Sequence, residues 1–310
     1  MKVMICGSLA YDTIMEFEGA FENHILKDEI NRLNVAFLAP KMRREFGGCA
    51  GNIAYNLKML GVEPTIMASA GRDFSSYEHH LKNLDIDISH VEILKDEYTA
   101  QAFITTDING NQLTVFHPGA MSYSQINSVA MVNDISLGVV SPDGREGMLK
   151  HANEFYDRKI PFLFDPGQGL PMFDKKELLD FIQKATYVVT NDYEAKMLVE
   201  KTGESIDSIA KCVKAFVVTN GGLGSDIYAN GVCEKIQAVE VENATDPTGC
   251  GDAYRAGLIH GILEDFNWTK TGRLASLIGS IKVRSQGPQN HTFDFSSISE
   301  HYHSLFGESL

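Results

Sequence analysis

The chain has 310 residues, of which 44% are hydrophobic and 22% charged, with a formal net charge of −14. Those proportions exclude a disordered or fibrous protein, and no apolar run reaches the ~18 residues that a membrane helix needs. The acidity argues against nucleic-acid and anionic-membrane partners and leaves small molecules, which local backbone dipoles can hold whatever the net charge.

In chain order, the apolar run at 3–6 reads as a first strand rather than a leader, because Asp12 and Glu16 follow at once. Further strand-like runs occupy 65–68, 137–140, 162–164, 187–190 and 216–219. Helical spacing of apolar residues covers 52–60, 192–200 and 254–263. Alternating strands and helices predict a doubly wound, mainly parallel α/β sheet flanked by helices, in one domain over 1–310. Two stretches break the rhythm: 34–44 reads as extended, and 101–116 as a hairpin around Asn109-Gly110. They predict a small, discontinuous β flap, approximately 13–45 and 99–118, acting as a lid that excludes water. The five cysteines (Cys6, Cys49, Cys212, Cys233 and Cys250) contain no CxxC pair. They read as free thiols and point to a cytoplasmic location.

The run 238–263 carries the chemistry. A turn-rich loop with Asp246, Pro247, Gly249 and Gly251 leads into a helix that Asp252 opens. Glycines ahead of a helix N-terminus form an anion site, with the amides of Gly249, Cys250 and Gly251 facing the anion. Asp252 beside it suits a carboxylate that takes the proton from an attacking hydroxyl; the competing reading is a helix N-cap. The helix terminus is expected to lower the pKa of Asp252 and also that of Cys250, read as exposed and oxidant-sensitive. Gly47 and Gly48 let a flat sugar lie against the backbone, while Asn52 offers a donor and an acceptor to vicinal hydroxyls. Asp12 stands at the carboxyl end of the first strand, where open α/β sheets bind ligands. Asn191 and Glu194, at a strand-to-helix junction, read either as a water-mediated hold on Mg²⁺ or as a helix cap. The loop from Thr219 to Ser225, with Gly221 and Gly224, offers a second set of amides, suited to ATP phosphates. Phe37, Phe103 and Phe116 in the flap read as walls for a stacked base, or as packing or dimer contacts. No Gly-Lys-Ser/Thr, G-x-G-x-x-G, H-E-x-x-H or G-x-S-x-G run occurs, which sets aside P-loop, dinucleotide, zinc-protease and serine-hydrolase sites.

The loop Asp246-Pro-Thr-Gly-Cys-Gly-Asp252 resembles the D-T-x-G-A-G-D loop of the ribokinase-like (PfkB) family of carbohydrate and nucleoside kinases. Four more stretches are similar to that family in its own order: Gly7-Ser8 with Asp12, Gly47-Gly48-Cys-Ala-Gly-Asn52, Asn191-Asp-Tyr-Glu194, and the Thr219 to Ser225 loop. The resemblance spans nearly the whole chain. It implies an ATP-dependent kinase with Asp252 as base and the Gly249, Cys250 and Gly251 amides on the transferring group. It implies that Ser8, Asp12, Gly47, Gly48 and Asn52 hold substrate, that Asn191, Thr219, Gly221, Gly224 and Ser225 hold ATP, and that Glu194 with Asn191 holds Mg²⁺ through water. A K⁺ requirement is common among relatives. The chain departs from the pattern at Pro247 and Cys250, where Thr and Ala are usual, and at Asn111-Gln112, where many members carry Arg. The runs GGCAGNIAYNLKMLG and FDPGQGL are most similar to the family's bacterial adenosine and nucleoside kinases, which makes the 5′-hydroxyl of adenosine the expected acceptor. A ribose or other sugar kinase is the alternative, with Arg43 and Arg44 keeping a phosphosugar open. A non-catalytic nucleoside or sugar sensor is the third reading, and the assembly is expected to be a monomer or a homodimer through the lid.

Overall fold

The computed structural model describes residues 1–25 and 34–310, so the part of the expected lid at 26–33 lies outside the described residues. The continuous apolar runs form the centre of a parallel sheet, where strands covered on both faces have no polar side to show. These are β1 (Lys2–Cys6), β4 (Glu63–Gly71), β8 (Ile135–Val140), β9 (Phe162–Phe164), β10 (Tyr187–Asn191) and β11 (Ala215–Thr219). With β5 (Asp87–Leu94), β12 (Ser225–Ala229) and β13 (Val232–Ile236) they form one sheet in the order β13-β12-β11-β10-β9-β8-β1-β4-β5. Only β12 and β13 run antiparallel to their neighbours.

Side-chain alternation along β1 divides the core in two. Val3 and Ile5 join the cluster under α1 (Cys49–Met59), α2 (Ser75–Asn83), α7 (Cys250–Leu263), α8 (Trp268–Lys282) and α9 (Phe295–Phe306). Met4 and Cys6 join the cluster under α3 (Arg145–Asp157), α4 (Lys175–Lys184), α5 (Asp192–Thr202) and α6 (Ile206–Cys212). Both faces are therefore covered, which is the doubly wound arrangement.

A second sheet contains β2 (Ala10–Glu16), β3 (Lys41–Gly47), β6 (Ala100–Thr106) and β7 (Gln112–His117), in the order β3-β2-β6-β7. The β6–β7 connection is not a two-residue Asn-Gly turn. Thr106 pairs with Gln112, so five residues form the loop. Asp107 organises it by accepting hydrogen bonds from the Asn109, Asn111 and Phe21 amides and the Asn111 side chain. Gly110, at φ 79°, supplies the left-handed step. In the stretch 34–44, only Lys41 onward is a strand.

Candidate active site

Gly249, at φ 79°, caps α7 from a left-handed conformation, and a Cβ there would stand 2.7 Å from Cβ of Pro288. The helix begins at Cys250, so Asp252 lies in its first turn and is not the N-cap. Asp246 sets the loop ahead of it: Oδ1 accepts the Thr248 amide and Oδ2 the Gly287 amide, both at 2.9 Å. The expected amide set shifts here. The Cys250 N–H donates to the Pro247 carbonyl at 3.1 Å and is spent on the turn. Among the described residues the amides of Gly249, Gly251 and Asp252 have no protein acceptor, as the first N–H groups of a helix do not. The open amides are therefore those of Gly249, Gly251 and Asp252, while the Cys250 N–H turns back into the loop.

Asp252 is fixed from the neighbouring helix. Asn52 Nδ2 donates to Asp252 Oδ2 at 2.8 Å, and Gln289 Nε2 donates to Asn52 Oδ1 at 2.9 Å. Gln289 also donates to the Tyr77 hydroxyl at 2.7 Å, and Tyr77 in turn donates to the Gly47 carbonyl at 2.8 Å. Both halves of the Asn52 amide thus have a protein partner, which orients Asp252 and leaves Asn52 one further N–H and one further lone pair. Burial pushes the Asp252 carboxyl up to about 6, with Asp165 and Asp12 adding to it, while Arg255 and Asn52 pull it down. The expected lowering by the helix terminus is overridden, because desolvation of the charged form outweighs the favourable dipole. The same holds for Cys250, which is half-buried; burial drives its thiol up to about 11, against the pull of Lys282. Beneath Asp252 lies a pair that no motif announces. Arg255 grips Asp165 with two side-chain hydrogen bonds, one at 2.7 Å, and both residues are buried.

Asp12 lies near enough for its charge to raise the Asp252 carboxyl. Burial raises the Asp12 carboxyl to about 6, with Asp246 and Glu45 contributing. Gly47 leaves the space that Asp12 fills: a Cβ there would meet its Oδ2 at 2.7 Å. Gly48, at φ 86°, brings the backbone to within 2.5 Å of the Ser8 carbonyl as measured from a Cβ at that position, so no side chain fits. Ser8 is buried and its hydroxyl accepts the Cys49 amide at 3.2 Å, so it serves the start of α1. The three phenylalanines do not act together. Phe116 pairs with Ala102, and Ala102 with Asp12, so Phe116 shares the Asp12 face of the second sheet. Phe103 pairs with Thr13 and Val115 and takes the opposite face. Phe37 is held by Phe17 and Phe21, each 4.9 Å away between ring centres. The two flap arginines are committed as well. Arg43 pairs with Glu16 and Glu45; Arg44 lies over the Tyr11 ring and pairs with Asp73.

A cavity of about 850 Å³ joins the two glycine-rich loops, with Thr219, Gly221 and Gly224 on one wall and Cys250 and Gly251 on the other. Gly224, at φ 101°, passes against the Ile236 carbonyl, where only glycine fits. Val239 and Glu242, from the start of the 238–263 run, form further walls, and sequence patterns gave no sign of Ser276 and Val283. Ser225 is buried and its hydroxyl is hydrogen-bonded to that of Tyr254 at 2.7 Å, so it braces the loop from behind. Asn191 and Glu194 form a reciprocal cap on α5, with Asn191 Oδ1 accepting the Glu194 amide and Glu194 Oε2 accepting the Asn191 amide. Burial, then Asp165, raises the Glu194 carboxyl. Glu194 Oε1 has no hydrogen-bond partner among the described residues. The cap reading thus holds for both residues and leaves one Glu194 oxygen for water. Among the described residues no helix is long and apolar enough to cross a membrane.

A family model described as pfkB family carbohydrate kinase matches residues 7–294. A nucleoside kinase of Methanocaldococcus jannaschii is 33% identical over 293 residues, 94% of this chain and 93% of that protein. The structure of Burkholderia thailandensis nucleoside kinase in complex with inosine is 47% identical, covers 99% of both chains and superposes with a TM-score of 0.90. The same enzyme in complex with ADP-inosine gives 48% identity, 99% and 97% coverage and a TM-score of 0.88. The chain belongs to the pfkB family of carbohydrate kinases, and it is an ATP-dependent kinase.

Proposed function

We propose that this pfkB-family chain transfers the γ-phosphoryl group of ATP to the 5′-hydroxyl of a ribose-bearing nucleoside, with adenosine the expected acceptor. The observation that carries this reading is Asp252 itself. It is tethered through one oxygen to Asn52, has its carboxyl raised to about 6 with the Asp12 charge contributing, and directly follows Gly251, which lines the cavity. Asp252 Oδ1 takes the proton of the attacking hydroxyl as the loose transition state breaks up. The amides of Gly249, Gly251 and Asp252 face the charge on the transferring group, where preorganised donors act without reorganising. Asp12, on the sugar side, accepts hydrogen bonds from ribose hydroxyls, and Phe116 on the same sheet face offers a ring to the base. Thr219, Gly221 and Gly224 line the space for the ATP phosphates. The free oxygen of Glu194 fits a water-mediated hold on Mg²⁺, which keeps several of its waters and shields the phosphate charge.

A nucleoside is favoured over a phosphosugar because Arg43 and Arg44 are already paired with carboxylates and an aromatic ring. The nucleoside kinases among its relatives, one of them seen with inosine, support the same choice. ADP release measured over adenosine, inosine, guanosine, cytidine, ribose and fructose 6-phosphate tests it. Adenosine and other nucleosides are expected to be turned over. Turnover confined to ribose or fructose 6-phosphate would overturn the nucleoside reading, and a response to inosine but not adenosine would remove adenosine alone.

A further inference from the structure

Lys282 ends α8 and its side chain is fully buried. Fully buried lysines are rare and normally sit against a carboxylate. Among the described residues Lys282 has no salt bridge. Its ammonium donates instead to two backbone carbonyls, Asp246 O at 2.7 Å and Ser285 O at 3.0 Å. Asp246 opens the loop that carries the open amides, and Ser285 opens the segment that leads to Gly287, Pro288 and Gln289. Those three residues respectively bond the Asp246 carboxylate, back Gly249 and hold Asn52. The Thr245 and Asp246 amides also donate to Val283 O, at 2.8 and 3.1 Å. One cation thus clamps the loop before Asp252 to the strut that orients Asp252.

We infer that Lys282 is a built-in monovalent cation of this site: a positioning residue that holds the phosphoryl loop and frees the enzyme from any need for K⁺. The reasoning is electrostatic. Backbone carbonyls are the ligands a dehydrated K⁺ selects, and here an ammonium already takes them. The last carbonyls of α8 also favour a cation at that end. An added ion at this junction would have to displace a covalently tethered charge. The K⁺ requirement suggested by the resemblance therefore does not fit these residues.

The inference rests on the kinase reading, so its test has a kinetic and a crystallographic arm. In wild-type protein, replacing choline by saturating K⁺ at constant ionic strength is expected to change kcat by less than about twofold. Lys282→Ala is expected to lose roughly 10²-fold in kcat with little change in nucleoside KM, and K⁺ or NH₄⁺ should restore most of it saturably. Lys282→Met fills the space and should show the loss without the rescue. Rubidium soaked into crystals should give anomalous density between Asp246 O and Ser285 O in Lys282→Ala and none there in wild type. Activation of wild type by K⁺, rubidium at that place in wild type, an unchanged kcat in Lys282→Ala, or a loss that no cation restores would each overturn the inference. If Lys282→Ala does not fold, the two wild-type measurements decide. Failure of every acceptor would instead sink the nucleoside reading, and the rubidium result would stand apart from it.

Discussion

Replacing Asp252 by Asn separates the chemistry from the fold. The amide is isosteric and can present its oxygen to Asn52 Nδ2, so the 2.8 Å tether survives. What disappears is the proposed proton acceptor, and kcat is expected to fall roughly 10²–10⁴-fold, about 3–5 kcal/mol of barrier. A carboxyl near 6 is about 90% ionised at pH 7, so wild-type kcat/KM should show a unit-slope acid limb with its midpoint near 6. The limb is assigned to Asp252, although the Asp12 carboxyl is also raised to about 6 and its charge adds to the Asp252 shift. It should persist in Asp12→Asn and vanish from the residual activity of Asp252→Asn. Stability should move the other way. The folded pKa stands above the ordinary 3.8, so the charged form is held at a cost. That cost accumulates as pH rises from about 4 to about 6 and is complete at neutrality. Asp252→Asn should therefore melt about 2–4 °C above wild type at pH 7 and level with it near pH 4. Coupled ADP release from pH 5 to 8, with thermal melts on the same samples, reads all three effects. Turnover within tenfold of wild type, an acid limb that survives in Asp252→Asn, or a lower melting temperature at pH 7 would refute the reasoning.

Asn52→Ala removes the donor that favours the Asp252 carboxylate. The acid limb should shift upward in pH, and the loss of Gln289's partner should cost about 1–3 kcal/mol in a denaturant titration. Gly48→Ala places a Cβ 2.5 Å from the Ser8 carbonyl and 2.7 Å from the Ala10 amide at φ 86°. It should destabilise by about 2–3 kcal/mol or more. Gly61→Ala is the internal control, with a similar φ of 78° but open space around it, and its cost should stay near about 1 kcal/mol. Equal midpoints for the two alanine variants would show that close approach at Gly48 is not what selects glycine.

The sequence by itself determined the main sheet and the glycine turn that opens α7. Apolar runs such as 162–164 and 187–190 have no polar side to expose, so they must be central strands. The Gly249 to Asp252 run could only be a tight turn into a helix N-terminus, because positive φ and open amides are local properties of glycine and of a helix start. The reciprocal cap of Asn191 on Glu194 is equally local, three residues apart on one turn.

Tertiary structure decided everything that depends on residues far apart in the chain. Asn52 meets Asp252 across 200 positions and Gln289 across 237, and no periodicity in either neighbourhood announces that chain of bonds. The sign of the Asp252 and Cys250 shifts followed from how deeply the fold buries them, a long-range quantity that overrode the local helix dipole. Strand register, which the 107–111 loop helps to set, put Phe103 and Phe116 on opposite faces. Lys282 reads in sequence as an ordinary basic residue at a helix end; only packing against the Asp246 loop turns it into a buried cation.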